Sequence, residues 1–190
     1  MNIMHNLNPF PVNSSMPVHA GNETMAMTKN YILDQAVAEK KMRRMSLEIL
    51  ENNAEEEELI LVGIRESGSV VARNIQRMIA ENSKVKTVLI SVSLDKRIPG
   101  DVILDSSIDF TGKVIILVDD VSNSGKTLLY ALKPFLAFHP KKIQALVLVE
   151  RSHNSFPVRP DYIGLSIATT LQDHIYVEVK DEQVIGAYLA

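Results

Sequence analysis

Four short apolar runs constrain the fold of this chain more than any other feature of its sequence. They cover residues 59–64, 87–92, 114–118 and 143–149, and each is rich in Val, Ile or Leu. A strand that is apolar along its whole length is typical of a parallel sheet that is covered on both faces. Helix-like segments separate most of the runs. This alternation predicts an α/β fold with a mostly parallel central sheet and helices on both faces.

The helix-like segments have recognisable periodicity and boundaries. Apolar residues from Ala38 to Ile49 recur at steps of three and four, and Asp34 is a suitable N-cap, so a helix is predicted over 34–52. The run 59–64 is followed by a predicted turn at Arg65–Gly68 and a helix over 69–81. A further helix is predicted over 127–138, and two short strands are predicted over 162–165 and 175–179.

The chain length and composition are those of one domain. With 190 residues, 46% apolar, the chain is long enough to bury a core. We predict a loosely ordered arm over 1–27 and a single domain over 28–190, with Met25 or Met27 as an alternative start. The net charge of −3 gives no general reason to expect nucleic acid as a partner. The absence of cysteine excludes disulfides and thiol chemistry and fits the cytoplasm, and no apolar run approaches the ~20 residues of a membrane helix.

Two adjacent carboxylates follow the apolar run 114–118. Asp119 and Asp120 repel each other and are costly to bury, so they need hydrogen-bond donors or a cation. The vicinal hydroxyls of a ribose would supply donors, and Mg²⁺ would supply a cation that prefers oxygen ligands. The alternative is that the two aspartates simply end a strand.

A small polar segment comes next and opens the helix predicted over 127–138. Backbone N–H groups at a helix start, assisted by hydroxyl groups, form an anion cradle. The pair of acids followed by this cradle is the pattern of a site for ribose 5-phosphate. A P-loop is disfavoured because Asp120 stands where that motif needs its first glycine. The cradle residues are Val121, Ser122, Asn123, Ser124, Gly125, Lys126 and Thr127.

The segment from Val118 to Thr127 resembles the signature of the type I phosphoribosyltransferase family, which binds phosphoribosyl pyrophosphate (PRPP). The likeness extends from about Tyr31 to Tyr188. It is strongest toward the branch that combines pyrimidine operon regulation with uracil phosphoribosyltransferase activity. Further segments that carry it are 32–34, 61–64 with Gly68, and 159–164.

The resemblance implies a three-layer fold with a small hood and a role for each candidate segment. Asp119 and Asp120 would be the catalytic pair that holds the ribose hydroxyls and Mg²⁺, and the cradle would hold the 5-phosphate. The turn Arg65, Glu66, Ser67 and Gly68 would bind pyrophosphate, with Glu66 directed away from it. The polar loop over 93–112 would be a lid, in which Lys96 and Arg97 are the candidate pyrophosphate contacts. A homodimer or higher homo-oligomer is also implied.

The base site is predicted from the segment after the last apolar run. Tyr162 matches the family's base-stacking aromatic residue, with a core tyrosine as the alternative. Arg151 is a candidate contact for the base or the phosphate, with a surface ion pair as the alternative. Glu150 stands where enzymes for 6-oxopurines carry a lysine, and Asn123 replaces an aspartate of those enzymes. Both departures favour a pyrimidine, so the predicted reaction is uracil plus PRPP giving UMP and pyrophosphate.

Two other functions stay open. The resemblance allows an RNA-binding regulator of pyrimidine genes that senses nucleotides, supported by the basic cluster Lys40, Lys41, Arg43 and Arg44. The solvated face of a helix explains the same cluster. The other alternative is a purine-type phosphoribosyltransferase.

Overall fold

A computed structural model describes residues 29–95, 102–168 and 173–190. The predicted arm over 1–27 and the candidate lid residues Lys96 and Arg97 lie outside these ranges. The described residues form helices and strands in the following order: β1 (Asn30–Asp34), α1 (Gln35–Asn52), β2 (Glu58–Ile64), α2 (Arg65–Asn82), β3 (Lys86–Ser93), β4 (Ile103–Leu104), β5 (Val114–Ser122), α3 (Lys126–Ala131), a 3-10 helix (Lys133–Ala137), β6 (Lys142–Arg151), β7 (Tyr162–Ile167), β8 (Ile175–Lys180) and β9 (Gln183–Leu189).

The four apolar runs form the centre of one sheet, as predicted. Its strand order is β4-β3-β2-β5-β6-β7, and all neighbours are parallel except β4, which pairs antiparallel with β3. Alternate residues of β2 belong to two separate apolar clusters, because successive strand side chains point to opposite faces. One cluster packs under α1 and α2, and the other packs under α3 and the 3-10 helix. The sheet is therefore the middle of three layers.

Helix α1 agrees closely with its prediction. The Asp34 carboxylate accepts a hydrogen bond of 2.8 Å from the Val37 N–H, which caps the helix. Its buried residues Ala38, Met42, Met45 and Ile49 form the predicted stripe against the core.

The boundaries of several other elements differ from their predictions. Helix α2 begins directly at Arg65, so the expected turn over 65–68 is the first turn of the helix. Strand β5 continues to Ser122, because Asp119, Val121 and Ser122 stay in register with β6. The single helix expected over 127–138 is an α-helix followed by a 3-10 helix. Pro134 explains this break, because it has no N–H to continue the α-helical hydrogen bonds.

A second, three-stranded antiparallel sheet forms the hood. Its order is β1-β9-β8, and its apolar side contributes Leu33, Ile175, Val184 and Ala187 to the cluster under α1 and α2. Strands β1 and β9 were not predicted, although they come from the two ends of the described chain and pair with each other. Among the described helices, none is long and apolar enough to cross a membrane.

Candidate functional site

The two aspartates lie in the last part of strand β5, next to the carboxyl end of the neighbouring strand β2. Asp119 is 1% exposed and Asp120 is 9% exposed, so both carboxylates are almost withdrawn from water. The Asp120 N–H donates a hydrogen bond of 3.0 Å to the Asp119 carboxylate, which fixes its orientation. Ligands of open α/β sheets bind beyond these strand ends. The pair therefore lies where a ligand hydroxyl or a cation would reach it.

The segment after the aspartates encloses a small hollow of about 50 Å³. Gly125 precedes α3 with φ of 79°, a conformation that glycine adopts without steric cost. A Cβ atom at Gly125 would lie 2.8 Å from the Val158 carbonyl oxygen, so the tight turn needs glycine for packing as well. The hollow is lined by Asp119 and by the residues from Val121 to Leu128, which include the whole predicted cradle.

The Ser122 hydroxyl is a second indication that the hollow binds a polar ligand. Ser122 is 3% exposed, and its Oγ has no hydrogen-bond partner among the residues that the structure describes. Buried hydroxyls are normally hydrogen-bonded, and an exception needs an explanation. A phosphate oxygen in the hollow would provide the missing partner.

The loop after β6 packs directly on the cradle. The N–H groups of Ser155 and Phe156 donate to the Ser124 carbonyl at 3.1 and 3.0 Å. The loop that was predicted to cover the base is thus attached to the segment that was predicted to hold the phosphate.

A cavity of about 690 Å³ adjoins Asp120 and the start of α2. Arg65, Glu66 and Ser67 line it, so the structure brings the predicted pyrophosphate segment beside one of the two aspartates. Glu66 borders the cavity, and the expectation that its side chain points away from pyrophosphate stays a prediction. The cavity is also lined by Arg73, Ser91 and Ser93, which sequence reasoning missed. A signal existed for Arg73, because it follows Arg65 by two helical turns.

Arg65 and Gly68 fix the start of α2 relative to the sheet. Arg65 has φ of 59°, an uncommon value for a residue with a side chain. Its Nε and Nη2 both donate to the Leu94 carbonyl, at 2.9 and 2.8 Å. A Cβ atom at Gly68 would lie 2.8 Å from the Val118 carbonyl oxygen and 3.2 Å from Asp119 Cα. The helix therefore approaches β5 as closely as glycine allows.

Tyr162 does not reach the candidate site, and its prediction as the base-stacking residue is wrong. It is 1% exposed and belongs to the core under α1. Its hydroxyl accepts hydrogen bonds from Asn52 and Asn53, at the end of that helix. Burial raises the pKa of the Tyr162 hydroxyl. The structure agrees with the alternative interpretation, in which Tyr162 is a core tyrosine at a strand start.

Arg151 and Glu150 end strand β6 at the same sheet edge as the aspartates, and both are buried. The Arg151 Nη2 donates to the Asp173 carbonyl, so Arg151 is not the surface ion pair that was the alternative. Glu150 lies opposite Ser122 in the β5–β6 register and accepts a hydrogen bond of 3.1 Å from the Ser166 hydroxyl.

The residues present suit Mg²⁺ only with help from a substrate. No group of three or more His, Cys, Asp or Glu side chains that could hold a metal occurs in the described ranges. Mg²⁺ commonly binds one or two carboxylates together with substrate phosphates and water. Asp119 and Asp120 match that smaller requirement.

Comparisons with known proteins agree on one family. Residues 29–182 match the sequence model of the phosphoribosyl transferase domain. The chain is 34% identical to the "Bifunctional protein PyrR" of Staphylococcus carnosus, over 82% of this chain and 94% of that protein. It is 31% identical to the "Pyrimidine operon regulatory protein" of Lactococcus lactis, over 82% and 92% respectively. The hypoxanthine phosphoribosyltransferase of Trypanosoma cruzi has a similar fold, with a TM-score of 0.72 at 12% identity, over 85% of this chain and 95% of that one.

Proposed function

The chain belongs to the phosphoribosyl transferase domain family, and from this premise we propose that it transfers the phosphoribosyl group of PRPP to uracil, giving UMP and pyrophosphate. The observation that carries the proposal is the placement of Asp119 and Asp120 between the small hollow and the larger cavity. A ribose held by the two carboxylates would have its 5-phosphate on one side and its pyrophosphate on the other.

Each part of the proposed site has a distinct task. The carboxylates of Asp119 and Asp120 would accept hydrogen bonds from the two ribose hydroxyls, and the Ser122 hydroxyl would donate to the 5-phosphate. The first turn of α2 would bind the pyrophosphate. When bound with PRPP, Mg²⁺ would neutralise part of the charge that develops on the departing pyrophosphate. Catalysis would then come from positioning and from stabilisation of charge.

The preference for uracil is supported by side chains as well as by the relatives. A buried carboxylate at Glu150 cannot donate a hydrogen bond to the oxygen of a 6-oxopurine. Arg151 stays in the proposal as a base contact, because it ends β6 beside Glu150. The name "Pyrimidine operon regulatory protein" of a relative also points to pyrimidines. The structural similarity to hypoxanthine enzymes supports the fold and does not bear on the choice of base.

The test is an assay of the purified protein with PRPP and Mg²⁺ and, in separate reactions, uracil, cytosine, hypoxanthine, guanine or adenine. We expect UMP from uracil and no nucleotide from the purines. Asp119→Asn and Asp120→Asn should each lower kcat/KM by roughly 10- to 100-fold, because each removes a charged hydrogen-bond acceptor. Glu51→Gln is the control, since Glu51 is exposed near the end of α1 and borders neither the small hollow nor the larger cavity. No nucleotide from any base would refute the transferase, and IMP or GMP in place of UMP would refute the choice of uracil.

A second candidate function is regulation of pyrimidine genes, which the name of the Lactococcus lactis relative favours, and we propose RNA as the molecule that would be bound. The basic cluster on α1 gives it limited support. Arg43 and Arg44 form ion pairs with Glu81 and Glu48, which offset part of their charge. A gel shift with a pyrimidine-gene leader RNA, with and without UMP, tests this function. A complex that weakens with salt is expected, and no complex at low salt would exclude it.

Two expectations about the setting of the protein remain proposals. The cysteine-free sequence supports a location in the cytoplasm. The resemblance supports a homodimer or higher homo-oligomer, which light scattering on the purified chain would measure directly.

A further inference from the structure

Arg73 lies at the boundary between two hollows. It lines the 690 Å³ cavity beside Asp120, and it also lines a groove of about 530 Å³ between α1, α2 and the β8–β9 turn. In the structure its Nη1 is ion-paired with the Glu182 carboxylate of that turn. We propose that Arg73 is a further pyrophosphate-binding residue, which leaves Glu182 and binds the pyrophosphate of PRPP. This inference rests on the proposed function.

The other charges of the cavity lining indicate that pyrophosphate needs a further cation there. The described lining contains two cations, Arg65 and Arg73, and two carboxylates, Glu66 and Asp120. A pyrophosphate group carries several negative charges, and without Arg73 the lining would have a net negative charge, because Arg65 would be the one cation beside the two carboxylates among its described residues. Arg65 already donates from two of its nitrogens to the Leu94 carbonyl, so its orientation is set by the protein. Arg73 is the described cation of the lining that a ligand can recruit.

The position of Arg73 on α2 gives its side chain the required direction. Helix side chains tilt toward the helix N-terminus, so an arginine covers the turn before its own Cα. For Arg73 this is the turn of Ser69, which lines the cavity. The Arg73 and Glu182 side chains are 47% and 70% exposed. Exposed ion pairs of this kind contribute little to stability, so the exchange of partners costs little.

The β8–β9 turn does not depend on Arg73 for its attachment. The Asn74 side chain donates a hydrogen bond of 3.1 Å to the Glu182 backbone carbonyl, and another of 2.9 Å to the Val70 carbonyl. Asn74 is 8% exposed, and these bonds join the turn to α2 from the buried side. Arg73 can therefore leave the Glu182 carboxylate while the turn stays in place. A loss of PRPP binding in an Arg73 variant would therefore reflect a binding role of Arg73 and not detachment of the turn.

The test compares three variants of the full chain by calorimetry with PRPP and Mg²⁺ and, separately, with ribose 5-phosphate. Arg73→Gln should raise the Kd for PRPP about tenfold, as expected for loss of a charged hydrogen bond. It should leave the Kd for ribose 5-phosphate unchanged, because that ligand has no pyrophosphate. Glu182→Gln should lower the Kd for PRPP about twofold by releasing Arg73. Arg77→Gln is the control, because Arg77 lies one turn further, pairs with Glu81 at 2.8 Å and lines the groove but not the cavity.

Three results would overturn the inference. One is an equal Kd for PRPP in Arg73→Gln and Arg77→Gln, and another is an equal loss of PRPP and ribose 5-phosphate binding in Arg73→Gln. The third is a loss in Glu182→Gln as large as that in Arg73→Gln, which would mean that the ion pair acts as a structural unit. Thermal unfolding of each variant verifies that it is folded. If the unchanged protein fails to bind PRPP, the proposed function itself fails and the role of Arg73 fails with it.

Discussion

Replacing Gly68 by alanine tests whether the contact between α2 and β5 positions the candidate site. The added Cβ would lie 2.8 Å from the Val118 carbonyl oxygen, whereas ordinary contacts begin at 3.4 Å. The helix start or the end of β5 therefore has to move by about 0.6 Å. Either movement displaces Asp119 relative to the first turn of α2, because the same Cβ also approaches Asp119 Cα at 3.2 Å.

The expected magnitude differs between stability and binding. Overpacking costs roughly 1–3 kcal/mol, while alanine is about 1 kcal/mol better than glycine within a helix. The free energy of unfolding should thus fall by no more than about 2 kcal/mol. Misplacement of reacting groups by about 1 Å costs roughly 100-fold in rate. A shift of about 0.6 Å is therefore expected to lower kcat/KM for PRPP about tenfold.

The assay measures kcat/KM for PRPP together with the thermal unfolding midpoint, with and without PRPP and Mg²⁺. Gly112→Ala is the control: the predicted lid ends at Gly112, but the structure has this residue before the amino end of β5, opposite the site, with φ of 70° and no atom within 4 Å of an added Cβ. It should lose about 1 kcal/mol of stability through backbone strain and keep its activity toward PRPP. A Gly68→Ala variant with unchanged kcat/KM would refute the argument that this contact sets the spacing of the site.

The remaining predictions concern single side chains. Ser122→Ala should keep or slightly raise stability, because it removes a buried hydroxyl that has no partner among the described residues, and calorimetry should show weaker binding of ribose 5-phosphate. Tyr162→Phe should leave the KM for uracil unchanged and lower the free energy of unfolding by about 1 kcal/mol. A raised KM for uracil would instead indicate that Tyr162 contacts the base. Lys113 and Lys86 lower the pKa of the Glu58 carboxyl from 4.5 to about 2. The ionised form therefore stabilises the fold fully above pH 4.5, and this contribution is lost as the pH falls toward 2. Glu58→Gln should therefore cost about 1 kcal/mol in urea unfolding at pH 7 and progressively less below pH 4.5; an equal cost at pH 7 and pH 2.5 would contradict the assignment.

Local patterns predicted the parts of the fold that depend on local forces. The Asp34 cap and the buried stripe of α1 follow from hydrogen bonding and helical periodicity over a few residues. The central strands follow from their apolar runs. The position of Asp119 and Asp120 at the carboxyl edge follows from the predicted parallel arrangement, and so does their proximity to the start of α2.

The errors arise where distant segments decide the outcome. Tyr162 is buried because the end of α1 lies over the start of β7 and supplies Asn52 and Asn53 to its hydroxyl. Nothing near Tyr162 in the sequence indicates that contact. The same holds for Arg73, whose place in the cavity depends on how α2 lies across the sheet.

The hood makes completion of the fold depend on β9, which is synthesised after every other described strand. Strand β1 pairs with β9, so Asn30 faces Leu189 across the hood and Leu33 faces Ala187. While β9 has not yet emerged from the ribosome, Leu33 lacks the neighbours that cover it in the folded protein. Helices α1 and α2 then expose an apolar surface to solvent during translation, after the central sheet has been made. Aggregation is most to be expected in this interval, because exposed apolar surface and open strand edges promote it.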